Sequence, residues 1–213
     1  MTFTQVYNKL LKHYGHQDWW PAKTSFEVMV GAILTQNTAW TNVERAIARL
    51  ESRACLTPQA ILDAPLSELT ECLKPSGYFN LKAQRLRNYC QWYINAGELP
   101  CLSCIDTDAL RKQLLMVNGI GPETADAILL YAFERPVFVI DAYTRRIFSR
   151  LKLLAGDAPY EVLQDQFETG LQTDVAVFNE YHALIVCHAK DACKKCPGCI
   201  DCCLSYICPS CKR

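Results

Sequence analysis

Residues 114–150 contain the feature that most limits the possible folds, a glycine-containing turn between two apolar helices. Leu114 lies near the end of the first helix, the turn is Asn118-Gly119-Ile120-Gly121, and Pro122 begins the second helix. Two glycines allow positive φ angles and the close approach of another molecule, and proline loses no hydrogen bond at the first helical position. The turn therefore offers backbone N–H groups at a helix N-terminus, which suits a phosphate. A G-x-G turn by itself is more often a packing corner between helices.

Apolar residues recur at helical spacing along most of the chain, and strand signals are nearly absent. N-cap residues and prolines predict where the helices begin, and the expected starts include Thr24 or Ser25, Thr41 or Asn42, Thr57, Asn80 and Asp106 or Thr107. The sequence therefore predicts an all-α fold with two helical lobes. One lobe spans residues 22–132 and ends with the glycine turn and its second helix, and the other joins residues 1–21 to residues 133–213.

The chain has no net charge, with 22 basic and 22 acidic residues among 213. A global cationic field that would attract nucleic acid is therefore excluded, and any such face must be local. Two basic clusters are candidates, although charge alone favours a solvated helix face for both: Lys82, Arg85 and Arg87, and Arg145, Arg146 and Arg150.

Thirteen cysteines are many for this length, and eight of them lie between Cys187 and Cys211. The N-terminal residues have no signal-peptide architecture, and no apolar run approaches membrane-spanning length. These features predict a cytoplasmic chain with no membrane partner. Clustered cysteines in a reducing compartment favour metal binding over disulfides.

An acidic residue follows the glycine turn at a fixed distance. Residues 137–140 form a short apolar run, and Asp141 after them can cap the helix that starts there. The turn and Asp141, which is 20 residues after Gly121, together resemble the helix-hairpin-helix DNA glycosylase superfamily, whose best-known member is endonuclease III. The resemblance implies that Asp141 is catalytic and that Asn118, Gly119 and Gly121 contact DNA.

Two further segments support the resemblance. Residues 34–40 occupy the place of a family loop whose glutamine enters the duplex where the damaged nucleotide has left, which implies this role for Gln36. Residues 77–83, GYFNLKA, are similar to the family's G-x-[YF]-N-x-K-A, in which the residue after glycine wedges between bases, here Tyr78. Considered separately, Gln36 is better explained as a turn residue and Tyr78 as a half-buried helix cap. Their order relative to the glycine turn and Asp141 argues against coincidence.

Within the superfamily, residues 19–21, 34–40 and 181–186 most resemble 3-methyladenine DNA glycosylase III. This implies excision of N-alkylated purines, with Trp19 and Trp40 stacking in the base pocket, although core packing explains these tryptophans as well. Alkylated purines are cationic, so stacking and cation–π contacts can select them. Glu123 stands where the bifunctional members carry a lysine, so no amine is available there to form a Schiff base. Its carboxylate is a candidate pocket residue.

The C-terminal cysteines permit more than one metal site. A frame with gaps of five, two and five residues, one residue shorter in its first gap than the family's cluster loop, is Cys193, Cys199, Cys202 and Cys208. A ferredoxin-like frame, in which Leu204 replaces the usual proline, is Cys193, Cys196, Cys199 and Cys203. Cysteine pairs such as Cys208 and Cys211 suit zinc. The resemblance favours a [4Fe–4S] cluster in the first frame, with a structural role.

The resemblance thus implies a base-excision-repair DNA glycosylase without lyase activity. It would flip a damaged base out of double-stranded DNA and hydrolyse the N-glycosidic bond, while Asp141 stabilises positive charge on the sugar. One alternative is excision of oxidised or deaminated bases, as by endonuclease III, with lyase activity. The other is a non-catalytic DNA-binding module. We expect a monomer, associated with the nucleoid of a prokaryotic-type cytoplasm.

Overall fold

The computed structural model describes residues 1–211 and contains, within that range, twelve α-helices, one 3₁₀ turn and no β-strand. The prediction of an all-α fold is therefore confirmed. The helices are α1 (Phe3–Tyr14), α2 (Ser25–Leu34), α3 (Trp40–Ser52), α4 (Pro58–Asp63), α5 (Leu66–Leu73), α6 (Phe79–Asn95), α7 (Glu98–Leu102), α8 (Thr107–Met116), α9 (Pro122–Ala132), α10 (Ala142–Arg150), α11 (Tyr160–Gly170) and α12 (Val175–Asp191), with the 3₁₀ turn at Lys74–Ser76. No described helix is long and apolar enough to cross a membrane.

Local capping signals explain where many of the helices begin. The residues whose side chains accept a hydrogen bond from a first-turn N–H group are Thr2, Thr24, Thr57, Asp106, Asp141 and Asp174. Pro58 and Pro122 occupy the first position of α4 and α9, where a missing N–H costs nothing.

Two helices begin at residues other than those expected. Helix α3 begins at Trp40 after the uncapped Ala39, so the predicted cap at Thr41 or Asn42 is wrong. The Asn42 side-chain amide instead donates to Oγ1 of Thr38, which lies in the turn before α3, at 3.3 Å. Helix α6 begins at Phe79, one residue before Asn80, because Tyr78 precedes it as N-cap in the left-handed region with a φ of 45°.

The chain divides into two compact units. The hairpin unit is Ala22–Arg135 and contains α2 to α9. The cysteine unit combines Met1–Pro21 with the chain from Pro136 onward and contains α1 and α10 to α12.

In the hairpin unit, α9 packs against α2 and α8, and α6 packs against α2, α4 and α5. Its core includes the buried side chains of Met29, Leu86 and Leu129. A buried ion pair joins the two helices that flank the glycine turn, because Arg111 Nε and Nη2 donate to the two Asp126 carboxylate oxygens at 2.6 and 3.0 Å. A bidentate pair fixes the geometry of both partners, so α8, the turn and α9 are held as one element.

In the cysteine unit, α1 packs against α11 and α12, and α10 packs against α12. The core is an aromatic cluster with ring centroids 4.1 to 6.1 Å apart, formed by Phe3, Phe138, Phe148, Phe167 and Tyr181. The apolar run of residues 137–140 passes through this cluster as a buried, non-helical segment. It places Asp141 at the start of α10.

Candidate functional site

Only one glycine of the turn needs the conformational freedom of glycine. Gly119 has a φ of 97°, and a Cβ atom there would lie 2.2 Å from Cγ of Arg85, so both the backbone and the packing require glycine. Gly121 has a φ of −98°, and a Cβ atom there would meet nothing within 4 Å. The expectation of positive φ is therefore wrong for Gly121, which serves instead as the N-cap of α9 without a side-chain hydrogen bond.

Gln36 joins the loop before α3 to the glycine turn. Its Nε2 atom donates to the Gly119 carbonyl oxygen at 3.1 Å and to Thr124 Oγ1 at 2.9 Å, and its Oε1 atom accepts from the Arg85 guanidinium. Gln36 and Gly119 are 83 residues apart in the sequence. The fold thus brings together two of the residues that the sequence singled out for contacts with DNA.

Helix α6 aligns three segments that carry candidate DNA contacts. Lys82 Nζ donates to the last carbonyl oxygen of α2 at 2.8 Å and to that of Ser76 at 2.6 Å. Arg85 reaches the loop before α3, and Asn88 Nδ2 donates to the Asn118 carbonyl oxygen at 3.2 Å. Burial, followed by the charge of Arg85, lowers the pKa of Lys82 to about 8.

The basic clusters are not solvated helix faces. Lys82 is 1% exposed. Four arginines of these clusters donate to backbone carbonyl oxygens, and with their acceptors they are Arg87 (Leu62, Ala64), Arg145 (Gly156, Ala158), Arg146 (Ala189, Cys193) and Arg150 (Lys194, Lys195). The expectation of solvated faces is therefore wrong. These side chains hold loops of their own unit, and the sequence does not reveal which carbonyl groups lie within their reach.

The candidate wedge and pocket residues have different degrees of exposure. Tyr78 is 69% exposed, so the alternative of a half-buried cap is wrong for its ring. Trp40 is half-buried at the first position of α3, and Glu123 is exposed at the second position of α9. Trp19 is half-buried in the cysteine unit, where its ring centroid is 5.9 Å from that of Trp20.

Asp141 is held by two neighbours in the cysteine unit. Its Oδ1 atom accepts a hydrogen bond of 2.7 Å from the Thr144 N–H group and thereby caps α10, as the sequence predicts for an N-cap. Its Oδ2 atom lies 3.8 Å from His182 Nε2. Burial raises the pKa of the Asp141 carboxyl, but His182 and the Thr144 N–H group outweigh burial, so the net pKa is lowered from 3.8. Asp141 is therefore a carboxylate at neutral pH.

Sequence reasoning did not identify His182 as a functional residue. It is 8% exposed on α12, and its contact with Asp141 joins residues 41 positions apart. A lone histidine among apolar residues gives no local signal of such a contact. Its position inside the segment that carried the family resemblance, residues 181–186, was the one available indication.

The four cysteines of the first frame line one cavity. Cys193, Cys199, Cys202 and Cys208 surround it together with Cys211 and His188, whereas Cys196 and Cys203 do not line it. Burial raises the pKa of Cys202, and so do the neighbouring thiol groups of Cys193, Cys208 and Cys199. The geometry thus groups the cysteines of the first frame and separates two members of the ferredoxin-like frame.

The polar groups around this cavity suit thiolate ligands. The Arg150 guanidinium donates to Cys193 Sγ at 3.2 Å, and His188 Nε2 lies 3.7 Å from Cys202 Sγ. A hydrogen bond donated to a sulfur atom favours the thiolate form of a cysteine. Cys193, Cys199, Cys202 and Cys208 form no disulfide bond. Among the described residues, no group of three or more His, Cys, Asp or Glu side chains is arranged to hold a metal ion.

The fold is all-α and contains a glycine turn between two helices. A buried segment follows the second helix and ends at an ionised aspartate. Together these features are typical of the class of helix-hairpin-helix proteins. The comparison with known families agrees, since the family described as HhH-GPD superfamily base excision DNA repair protein matches residues 30–173. The chain belongs to this superfamily of base-excision DNA repair glycosylases.

Individual relatives support the assignment. The chain is 47% identical over 209 residues to MJ1434 of Methanocaldococcus jannaschii, provisionally named a DNA repair glycosylase, with 97% of this chain and 95% of the relative covered. It is 30% identical to endonuclease III of Sulfolobus acidocaldarius, covering 85% and 82%. Its structure is similar to that of the 3-methyladenine DNA glycosylase MagIII of H. pylori bound to 1,N6-ethenoadenine, with a TM-score of 0.78, 26% identity and coverage of 89% and 98%.

Proposed function

We propose that this glycosylase acts on N-alkylated purines in double-stranded DNA, hydrolyses the N-glycosidic bond and has no lyase activity. The observation that carries the proposal is Glu123, an exposed carboxylate at the second position of α9. The family resemblance puts the lyase amine at this position, and a carboxylate cannot form an imine. The likeness to MagIII, a 3-methyladenine DNA glycosylase, supports the substrate class.

The reaction breaks the bond between C1′ of the sugar and the purine nitrogen. The bonding electrons leave with the base, which an N-alkyl group has already made cationic and therefore a good leaving group. Positive charge develops on the sugar, and the Asp141 carboxylate stabilises it, since a fixed charge of opposite sign is most effective in a dry site. Water then adds its oxygen to C1′ and gives up a proton, which Asp141 can accept before it reaches solvent.

We assign the DNA contacts to residues of the hairpin unit. Base flipping costs a few kcal/mol of stacking, and exposed Tyr78 and the polar Gln36 are suited to replace part of that stacking and pairing. The start of α9, uncapped by any side chain at Gly121, suits a backbone phosphate, with Asn118 and Gly119 beside it. We assign base selection to Trp19 and Trp40, whose rings can stack on a cationic purine.

We assign a [4Fe–4S] cluster to the cysteine cavity. Cys193, Cys199, Cys202 and Cys208 would hold it, since thiolates are the usual ligands of such clusters and these four line one space. When bound, the cluster would cross-link the C-terminal loop. Arg150 and His188 would lie beside the sulfur atoms of its ligands Cys193 and Cys202.

A second candidate is excision of oxidised or deaminated bases, which the 30% identity to a protein named endonuclease III favours. A panel of duplexes, each with one lesion, distinguishes the two. We expect release of N7-methylguanine and 3-methyladenine and little release of thymine glycol or uracil. Release of the oxidised base alone would favour the second candidate, and no release from any duplex would favour a DNA-binding module.

The absence of lyase activity has its own test. The enzyme should leave an intact abasic site that is cleaved only after added alkali, and borohydride should trap no covalent adduct between protein and DNA. Glu123→Lys restores an amine at this position and should gain some trapping. Efficient trapping by the unaltered protein would refute this part of the proposal.

A further inference from the structure

The buried segment before Asp141 requires partners for its backbone. Residues 137–140 are at most 7% exposed, and the described residues contain no strand that could pair with them. Buried N–H and C=O groups without partners are costly, so nearly all are hydrogen-bonded in folded proteins. Three backbone groups of this segment, on Phe138 and Ile140, have side chains of α11 as their partners.

Tyr160, Gln164 and Glu168 recur at i, i+4 and i+8 and therefore lie along one face of α11. Glu168 Oε1 accepts from the Phe138 N–H group at 2.8 Å, and Gln164 Nε2 donates to the Phe138 carbonyl oxygen at 2.8 Å. The Tyr160 hydroxyl oxygen accepts from the Ile140 N–H group at 3.2 Å. We call these three side chains the α11 ladder.

The α11 ladder takes the place of a neighbouring strand. Phe138 and Ile140 are alternate residues, and in an extended chain the polar backbone groups of alternate residues point to the same side. The segment and α11 run antiparallel along these contacts. Phe138 contacts Gln164 and Glu168, whereas Ile140, two residues later, contacts Tyr160 at the start of the helix. Phe167 of α11 adds a stacked ring contact with Phe138, with centroids 4.1 Å apart.

We propose that the α11 ladder positions the Asp141 carboxylate for the reaction. The inference depends on the catalytic role assigned to Asp141 above. Asp141 directly follows Ile140, and α10 begins at the next residue, so its backbone is fixed from both sides. A charge that stabilises a transition state must be in place before the reaction, and a displacement of about 1 Å can lower a rate about 10²-fold. Tyr160, Gln164 and Glu168 are therefore positioning residues.

Tyr160→Phe tests the proposal because it keeps the ring and removes the acceptor of the Ile140 N–H group. In single-turnover base release from an N7-methylguanine duplex, we expect a rate about 10-fold lower, and unchanged affinity for a duplex with an abasic-site analogue. Amide exchange at Ile140 should become faster. In an Asp141→Asn background, Tyr160→Phe should cause no further loss of rate, because the carboxylate it positions is already absent.

The other two positions allow matched controls. Glu168→Gln keeps an acceptor for the Phe138 N–H group and should retain most of the rate, whereas Glu168→Leu should not. Gln164→Leu should lower the rate, and Gln166→Leu, the same change at an exposed position of α11, should not. These comparisons are made well below the melting temperature of each variant.

The outcomes separate the two proposals. If Asp141→Asn is inactive but Tyr160→Phe, Gln164→Leu and Glu168→Leu release base at the wild-type rate, the ladder has no positioning role and the role of Asp141 is retained. An equal loss of rate from Tyr160→Phe in the wild-type and Asp141→Asn backgrounds would show a general structural effect and overturn positioning. A fully active Asp141→Asn variant would overturn both proposals.

Discussion

Asp141 uses its two carboxylate oxygens differently. Oδ1 caps α10 through the Thr144 N–H group, and Oδ2 lies beside His182. Asparagine is as good an N-cap but carries no charge, so Asp141→Asn should fold and lose about 10²–10³-fold in the rate of base release. Affinity for damaged duplex should remain. Single-turnover kinetics and a binding titration check both, and a folded variant with the wild-type rate would exclude Asp141 from catalysis.

The same residue gives a prediction for stability against pH. The folded state lowers the pKa of Asp141 below 3.8, while the unfolded value is about 3.9. The carboxylate therefore contributes stability that is complete above the unfolded pKa and is lost as the pH falls through the folded pKa. The stability difference between wild type and Asp141→Asn should be largest near neutral pH and shrink below about pH 3.9. Denaturant unfolding at several pH values measures it, and a difference independent of pH would contradict the shift.

At the scale of elements, the helix-hairpin-helix depends on one glycine more than the other. Gly119→Ala places a Cβ atom 2.2 Å from Arg85 Cγ at a φ of 97°, so we expect a loss of about 1–3 kcal/mol in stability and weaker duplex binding. Gly121→Ala has an allowed φ and no close contact, so its loss of stability should be smaller. Thermal unfolding of both variants is the measurement. Equal destabilisation would show that the Arg85 contact is unimportant.

Helices with strong local capping signals could be predicted from the sequence, whereas elements with weak local signals could not. Thr24, Thr57 and Asp106 cap helices as expected because capping involves only neighbouring residues. Helix α7 was not predicted, since it has five residues and contains Pro100. Residues 137–140 were identified as a short apolar run, but nothing local indicates that side chains of α11 form hydrogen bonds with the backbone of Phe138 and Ile140.

At the scale of the whole molecule, the cavity lined by the four cysteines of the first frame predicts which thiol groups hold the cluster. Cys202 lines the cavity, whereas Cys196 is exposed outside it. Purified anaerobically, the protein should be brown with about four irons per chain, as expected of a cubane cluster. Cys202→Ser should lose the iron and Cys196→Ser should keep it. Iron analysis and absorption spectra decide this, and loss of iron from Cys196→Ser would favour the ferredoxin-like frame, while zinc without iron would exclude the cluster.

The all-α class, many helix starts, the glycine turn and the order of the family motifs could be predicted because they depend on periodicity, capping and spacing along the chain. Which distant groups meet could be seen only once the helices were packed together. The tertiary structure placed Gln36 against Gly119, His182 beside Asp141 and the arginines on backbone carbonyls. Contacts between residues tens of positions apart depend on how helices pack, and a charged side chain gives no local indication of the oxygen atom that packing will bring to it.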